Sequence, residues 1–307
     1  MKIRFLGTGG SWPSKRRNPV SIALSSGPTT LLLDCGEGTQ RQLLYSSVSP
    51  MKIKAVLVSH LHGDHVLGLP GLVQTMSLNG REEELRIIGP RGTAMSWEAA
   101  SSVCAFKCGF MTPVTELAPG EGTEVNGLLI DTCQAVHSVP ALAYSIGEKE
   151  RPGRFDVEAA RALGIPEGRL WGELQKGRTI IVDLIGGRTV FAPGQVLGPP
   201  RKGVRIVYTG DTAPSDDMVR FSYGADLLIH EATYGDEHEK MAGEFGHSTA
   251  RAAAGVALKA AVRGLALVHT SPRYSNDDGH LKLLAEAKEV FPETMLPEDG
   301  DELEVNH

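Results

Sequence analysis

Short apolar runs alternate along this chain with segments of helical spacing, and several runs stop at a glycine or a titratable residue. The pattern predicts strands over 2–6, 21–24, 30–33, 55–58, 86–88, 128–133, 141–146, 205–208, 227–230 and 266–268. It predicts helices over 38–45, 67–77, 93–104, 248–261 and 280–290. Ser248, after Gly246-His247, is placed to cap the Ala-rich helix that follows. Such alternation makes an α/β protein. Residues 148–200 break it. They mix a helix-like piece with Gly/Pro-rich stretches, scattered arginines and Trp171, which reads as an insertion projecting from the core. There is no internal repeat or low-complexity tract.

The chain has 307 residues, room for one large domain or two ordinary ones. At 41% apolar and 22% charged it has an ordinary globular composition. It has no apolar stretch of the ~18 residues a membrane span requires. The opening Met1-Lys2-Ile3-Arg4-Phe5-Leu6-Gly7 reads as a strand and turn rather than a signal peptide, so a cytoplasmic location is expected. The four cysteines, Cys35, Cys104, Cys108 and Cys133, are then expected to be reduced. Cys104 and Cys108 would share a helix face. No further Cys or His pair lies near them, which favours small buried side chains over a second metal site. A net charge of −6 argues weakly against a polyanion partner, yet residues 1–20 carry Lys2, Arg4, Lys15, Arg16 and Arg17 and no acid.

The chemistry concentrates in Ser59-His60-Leu61-His62-Gly63-Asp64-His65, directly after the run 55–58. Three imidazoles and a carboxylate there suit zinc or manganese, and burying all four without a metal would be costly. Further candidates follow other apolar runs: His137 after 130–136, Asp211 after 206–210, and His269 after 265–268. Each stands where a strand opens into a loop, a usual place for functional side chains, although position alone also allows a plain polar strand end. Five imidazoles and two carboxylates suffice for two metals, with Asp211 suited to bridge them. Such a pair can serve an in-line phosphoryl displacement.

These residues resemble the metallo-β-lactamase superfamily, whose signature is His-x-His-x-Asp-His. Within it the chain is similar, nearly end to end, to the ribonuclease Z family of tRNA 3′-processing endonucleases. The resemblance rests on Phe5-Leu6-Gly7-Thr8-Gly9-Gly10, Pro13-Ser14-Lys15-Arg16-Arg17-Asn18, and Leu33-Asp34-Cys35-Gly36-Glu37-Gly38-Thr39-Gln40. It continues through Gly68-Leu69-Pro70-Gly71-Leu72, Tyr208-Thr209-Gly210-Asp211-Thr212, His230-Glu231-Ala232-Thr233, His247-Ser248-Thr249 and His269-Thr270-Ser271-Pro272-Arg273-Tyr274.

The resemblance implies one αββα sandwich over 1–307, with 148–200 as an inserted flexible arm. It implies two zinc ions per subunit, manganese being possible. His60, His62 and His137 would hold one ion, Asp64, His65 and His269 the other, and Asp211 would bridge them. It implies a homodimer, with precursor tRNA as partner and neither DNA nor membrane. Asp64 would be the base that accepts and orients the proton of the attacking water. His247, steadied by Glu231, would protonate the departing 3′-oxygen, leaving a tRNA 3′-hydroxyl and a trailer 5′-phosphate. Read without the resemblance, Glu231 is an ordinary strand-end acid and His247 a residue before a helix. Lys15 and Arg17 would meet phosphates, Asn18 a base edge, and the loop would disfavour mature CCA ends. The arm, with Lys149, Arg151, Arg154, Arg161, Arg169, Lys176 and Arg178 among interleaved acids, would grip the tRNA elbow as an exosite. In that family one subunit's arm clamps tRNA whose cut end lies in the other.

Two rival readings remain. A phosphodiesterase of the same superfamily acting on small phosphodiesters would share the metal site but need neither the arm nor the Lys15 loop. A metal-free RNA-binding module is disfavoured because every ligand position is filled.

Overall fold

The runs Leu31-Leu32-Leu33 and Ala55-Val56-Leu57 are apolar at every position because both faces of their strands are covered. The computed structural model, which describes residues 1–103, 105–184 and 187–306, places them in the first of two seven-stranded sheets. In spatial order that sheet contains Glu302–Glu304, Lys2–Gly7, Ser21–Ser26, Thr29–Leu33, Ile53–Leu57, Arg86–Gly89 and Val114–Glu116. The second contains Thr294–Met295, Leu265–Val268, Leu227–Glu231, Arg205–Tyr208, Leu142–Glu148, Leu128–Gln134 and Gly122–Val125.

Successive side chains on a strand point to opposite faces, and this sorts the apolar residues into layers. Leu31, Leu33 and Leu57 join Phe5 and Ile22 in a core shared with Tyr144, Ile206, Tyr208 and Ile229 of the second sheet. Leu32 and Val56 point the other way, onto Leu72, Val73 and Met76 of the helix Leu69–Leu78. Val207, Leu228 and Leu267 likewise pack on Ala253 and Ala257 of Ala250–Lys259 and on Leu283 of Asp277–Lys288. The result is helix, sheet, sheet, helix, the layering that the resemblance implies.

Both sheets are mixed, and this decides where the site lies. Thr29–Leu33, Ile53–Leu57 and Arg86–Gly89 run parallel. So do Arg205–Tyr208, Leu227–Glu231 and Leu265–Val268. Parallel strands deliver their C-terminal ends to one edge. Asp34 and His60 leave the first sheet there, and Asp211, Glu231 and His269 leave the second.

Some local details differ from expectation. The helix cap is Thr249, whose Oγ1 accepts from Ala252 N at 3.1 Å, whereas Ser248 Oγ donates to Thr212 O at 2.7 Å. The edge strands Val114–Glu116, Gly122–Val125, Thr294–Met295 and Glu302–Glu304 and the short helices Gly63–Val66, Asp216–Ser222 and Glu239–Phe245 have too few residues to show a period. Cys35 is buried, Cys108 and Cys133 are half-buried, and all three are free thiols. Cys104 lies outside the described residues.

Residues 1–147 with 204 onward form one compact unit, and Glu148–Gly203 form another. The smaller unit has its own core of Ala160, Ile165, Leu174, Val182, Phe191 and Val196, beneath the helices Val157–Ala162 and Arg169–Gln175 and the hairpin Ile180–Leu184/Gly187–Phe191. Its first and last segments lie side by side at Gly153, where a Cβ would stand 1.9 Å from Gly198 O. Among the described residues, no helix is long and apolar enough to cross a membrane.

Candidate metal centre

The segment after Ile53–Leu57 turns sharply through Ser59–His62 into the short helix Gly63–Val66, so four donor side chains leave a few residues of backbone. Two donor groups use this turn, and a third, Asp211, His247 and His269, overlaps them. His60, His62, His137 and Asp211 present ligand atoms within 4.8 Å of one another, and so do Asp64, His65 and His269. Asp211 faces both: its Oδ2 lies 3.7 Å from His60 Nε2, 3.4 Å from His65 Nε2 and 3.3 Å from His269 Nε2. The seven positions expected from the sequence therefore meet in one pocket.

The atoms of this pocket are spaced as ligands around a cation. His62 Nδ1 stands 3.0 Å from His60 Nε2 and 3.2 Å from His137 Nε2. Nitrogen lone pairs so close repel unless a proton or cation lies between them. Zinc–nitrogen bonds of about 2.0–2.1 Å in a tetrahedron would set neighbouring ligand atoms roughly 3.3 Å apart. Asp211 Oδ1 and His65 Nε2 are buried without a well-directed hydrogen bond. Unpartnered buried polar atoms of this kind are uncommon, and a cation would satisfy both. The donor set fits.

The remaining ring nitrogens are occupied by protein groups that fix each imidazole. His65 Nδ1 donates to Asp34 Oδ2 at 2.7 Å. His137 Nδ1 donates to Gly246 O at 2.9 Å, and His269 Nδ1 donates to Thr233 Oγ1 at 2.9 Å. Each bond leaves Nε2 directed at the pocket, and outer partners of this kind orient metal-binding histidines. Asp34 is wholly buried and also accepts from Ser59 N at 2.6 Å, Ser59 Oγ at 2.7 Å and Tyr208 Oη at 2.5 Å. Asp34, Thr233 and the Gly246 carbonyl are supporting groups that the motif reading did not single out. Asp34 ends a buried strand just as Asp211 does, and that signal could have found it.

Electrostatics follow from packing acids against imidazoles. Burial opposes the charge on His65, but Asp211 and Asp34 raise its pKa well above the ordinary value. Burial pushes Asp211 up, yet His269 and His65 hold it well below the carboxylate range. Asp64 is likewise kept ionised: burial opposes this, and the His269 hydrogen bond outweighs it. His60 is pushed well below its usual value, first by burial and then by His65.

Beside this pocket stands a second arrangement. His247 Nδ1 donates to Glu231 Oε1 at 2.8 Å, and Glu231 also accepts from Thr212 N at 3.1 Å, Thr233 N at 3.0 Å and Thr233 Oγ1 at 2.7 Å. Burial works against an imidazolium at His247, but Glu231 prevails and lifts its pKa to about 9. At neutral pH His247 therefore carries a proton on a carboxylate-anchored ring, the state of a general acid.

The basic loop divides in two. Lys15 is exposed. Arg17 is only 4% exposed, and its guanidinium donates to Thr8 Oγ1 and Pro297 O, both at 2.6 Å. Asn18 is half-buried, with its amide donating to Asp299 Oδ2 at 2.9 Å.

Backbone approach also shapes the pocket. A Cβ on Gly10 would lie 2.5 Å from His269 Cε1 and 2.8 Å from its Nε2. Gly10→Ala should therefore push the His269 ring aside. Hydrolysis of precursor tRNA and of a small phosphodiester should fall together by about 10–100-fold, with the melting temperature little changed. Steady-state rates on both substrates check this, and wild-type rates would mean the ring has room to spare.

A family model described as a beta-lactamase superfamily domain matches residues 191–270, and one described as anti-Pycsar protein Apyc1 matches residues 1–100. Over 305 residues the chain is 42% identical to ribonuclease Z of Methanosarcina acetivorans, covering 99% of this chain and 98% of that one. It is 45% identical to ribonuclease Z of Gemmatimonas aurantiaca, covering 99% and 95%. The crystal structure of human tRNase Z, short form, superposes with a TM-score of 0.71 at 26% identity over all of both chains. Identity of this extent along nearly the whole length places the chain in the ribonuclease Z family, within the metallo-β-lactamase fold.

Proposed function

We propose that the two donor groups hold two zinc ions per subunit, with manganese as the alternative, and that the surrounding side chains cut precursor tRNA 3′ of the discriminator nucleotide. As a member of its family the chain is a hydrolase, an endoribonuclease of tRNA 3′ processing that takes precursor tRNA as substrate. His60, His62 and His137 would hold one ion, Asp64, His65 and His269 the other, and Asp211 both. When bound, such ions supply a water acidic enough to ionise near pH 7 and positive charge against the phosphoryl oxygens.

The residues supply the rest. Asp64, whose Oδ2 accepts from Ser11 N at 2.7 Å, accepts and orients the proton of the attacking water. His247 gives its proton to the departing 3′-oxygen, and Glu231 keeps that imidazole charged and aimed. The products are a tRNA 3′-hydroxyl and a trailer 5′-phosphate. The observation that carries this reading is the placement of the Glu231–His247 pair against a seven-donor pocket, with His247 Nδ1 3.9 Å from Asp211 Oδ2.

Lys15 meets RNA phosphate, with Arg17 and Asn18 setting the loop. The unit at 148–200 grips the tRNA elbow as an exosite on the single domain of 1–307. Two such chains pair, and the exposed Leu44, Tyr45, Leu78 and Met95 offer apolar surface for it. They work in the cytoplasm, with neither DNA nor membrane as partner.

The direct test is incubation with a 3′-extended precursor tRNA, with and without chelator, mapping the cut to one nucleotide. A chelator-sensitive cut after the discriminator is expected. Cleavage elsewhere, or cleavage untouched by chelator, contradicts the reading. Deleting 150–195 should lower precursor tRNA cleavage at least tenfold while bis(p-nitrophenyl) phosphate hydrolysis stays within about twofold. Equal loss on both substrates would remove the exosite.

A further inference from the structure

Asp299 lies at the far end of the chain from the motifs above, in the turn between Thr294–Met295 and Glu302–Glu304. Its carboxylate takes five hydrogen bonds from three segments. Oδ1 accepts from Thr8 N at 2.9 Å and Thr8 Oγ1 at 2.7 Å. Oδ2 accepts from Asn18 N at 2.7 Å, Asn18 Nδ2 at 2.9 Å and Gln42 Nε2 at 3.3 Å. Thr8 and Asn18 are the two feet of the loop that carries Lys15. They are joined again by Gly9 N donating to Asn18 O at 2.9 Å, and Arg17 reaches the same turn through Pro297 O.

A carboxylate that accepts donors from both feet of a loop removes much of the loop's freedom before any ligand arrives. The stretch after Thr8 has other anchors: Gly10 N donates to Thr270 O at 3.0 Å and Ser11 N to Asp64 Oδ2. Those hold the metal pocket. The Lys15 end has no such anchor in the pocket: Arg16 pairs with Asp277 and Arg17 with Pro297 O, and both feet of the loop close on Asp299.

We propose that Asp299 is a positioning residue for RNA specificity: it fixes the Lys15 loop in the conformation that receives the precursor's phosphates, and it takes no part in the hydrolytic step. This rests on the reading that the Lys15 loop meets RNA. Asp299→Asn keeps the shape but turns an amide against the Asn18 donors, so two N–H groups lose their acceptor.

The test compares kinetics of Asp299→Asn, Lys15→Ala and the double variant on precursor tRNA, with bis(p-nitrophenyl) phosphate hydrolysis and metal content measured for Asp299→Asn. The expected result for Asp299→Asn is a KM for precursor tRNA raised about tenfold, kcat within twofold, and small-substrate hydrolysis and metal content at wild-type level. The double variant should be no weaker than Lys15→Ala by more than about twofold, because both act through one loop. A parallel fall on both substrates makes Asp299 merely structural and overturns the proposal. So does a normal KM in Asp299→Asn when Lys15→Ala is impaired. An unchanged KM in Lys15→Ala refutes the loop reading itself. If Asp299→Asn does not fold, Thr8→Val removes one donor to the same carboxylate. A KM raised about threefold then supports the proposal, and an unchanged one overturns it.

Discussion

His65→Ala abolishes hydrolysis of precursor tRNA and of bis(p-nitrophenyl) phosphate alike. Its ring is the most constrained in the pocket, wholly buried, with Nδ1 on Asp34 and Nε2 facing Asp64 and Asp211 at 3.7 and 3.4 Å. Truncation leaves the Asp64/His65/His269 group with two donors. It also leaves Asp34 short of a partner in a pocket that water enters poorly. Metal-assisted charge stabilisation is worth several kcal/mol, and at 1.36 kcal/mol per tenfold that is at least about a thousandfold in rate. Both substrates depend on it equally, because both reactions add negative charge at phosphorus. Metal content should fall as well. A His65→Ala protein that retains full metal and cuts at more than a tenth of the wild-type rate would remove His65 from the ligand set.

His247→Ala separates the substrates instead. A 3′-ribose oxygen leaves poorly without a proton, whereas a nitrophenolate leaves as the anion. Loss of a general acid typically lowers the rate by about 10²–10⁴-fold. That loss should appear with precursor tRNA and shrink to a few-fold with bis(p-nitrophenyl) phosphate, and metal content should stay unchanged. Glu231→Gln should follow the same pattern more mildly, because the neutral amide no longer raises the imidazole toward about 9. Parallel rate profiles on the two substrates would exclude His247 as the donor. Equal losses on both substrates would point to a structural part in the pocket.

How much of this was legible in the sequence depends on length and position. His60, His62, Asp64 and His65 lie within six residues, so their convergence needs only one turn. His137, Asp211 and His269 could be brought in because each follows an apolar run, and parallel strands end on a common edge. The strands at 205–208 and 227–230 were readable for the same reason: burial on both faces leaves continuous apolar runs. The unread elements are those that packing, not periodicity, dictates. Glu302–Glu304 carries two glutamates and exists because Lys2–Gly7 offers it a sheet edge. Arg17 reads as a phosphate ligand in a run of three basic residues. Its buried fate is set by Thr8 and Pro297, and no local pattern reports contacts across such a separation. Asp299 is hidden for that reason too.

Whether these seven side chains form a metal centre is decided by elemental analysis of the purified chain. About two transition-metal ions per chain are expected, zinc or manganese, with loss of precursor tRNA cleavage on their removal and recovery on their return. Fewer than one ion per chain in a protein that still cleaves at full rate would contradict such a centre.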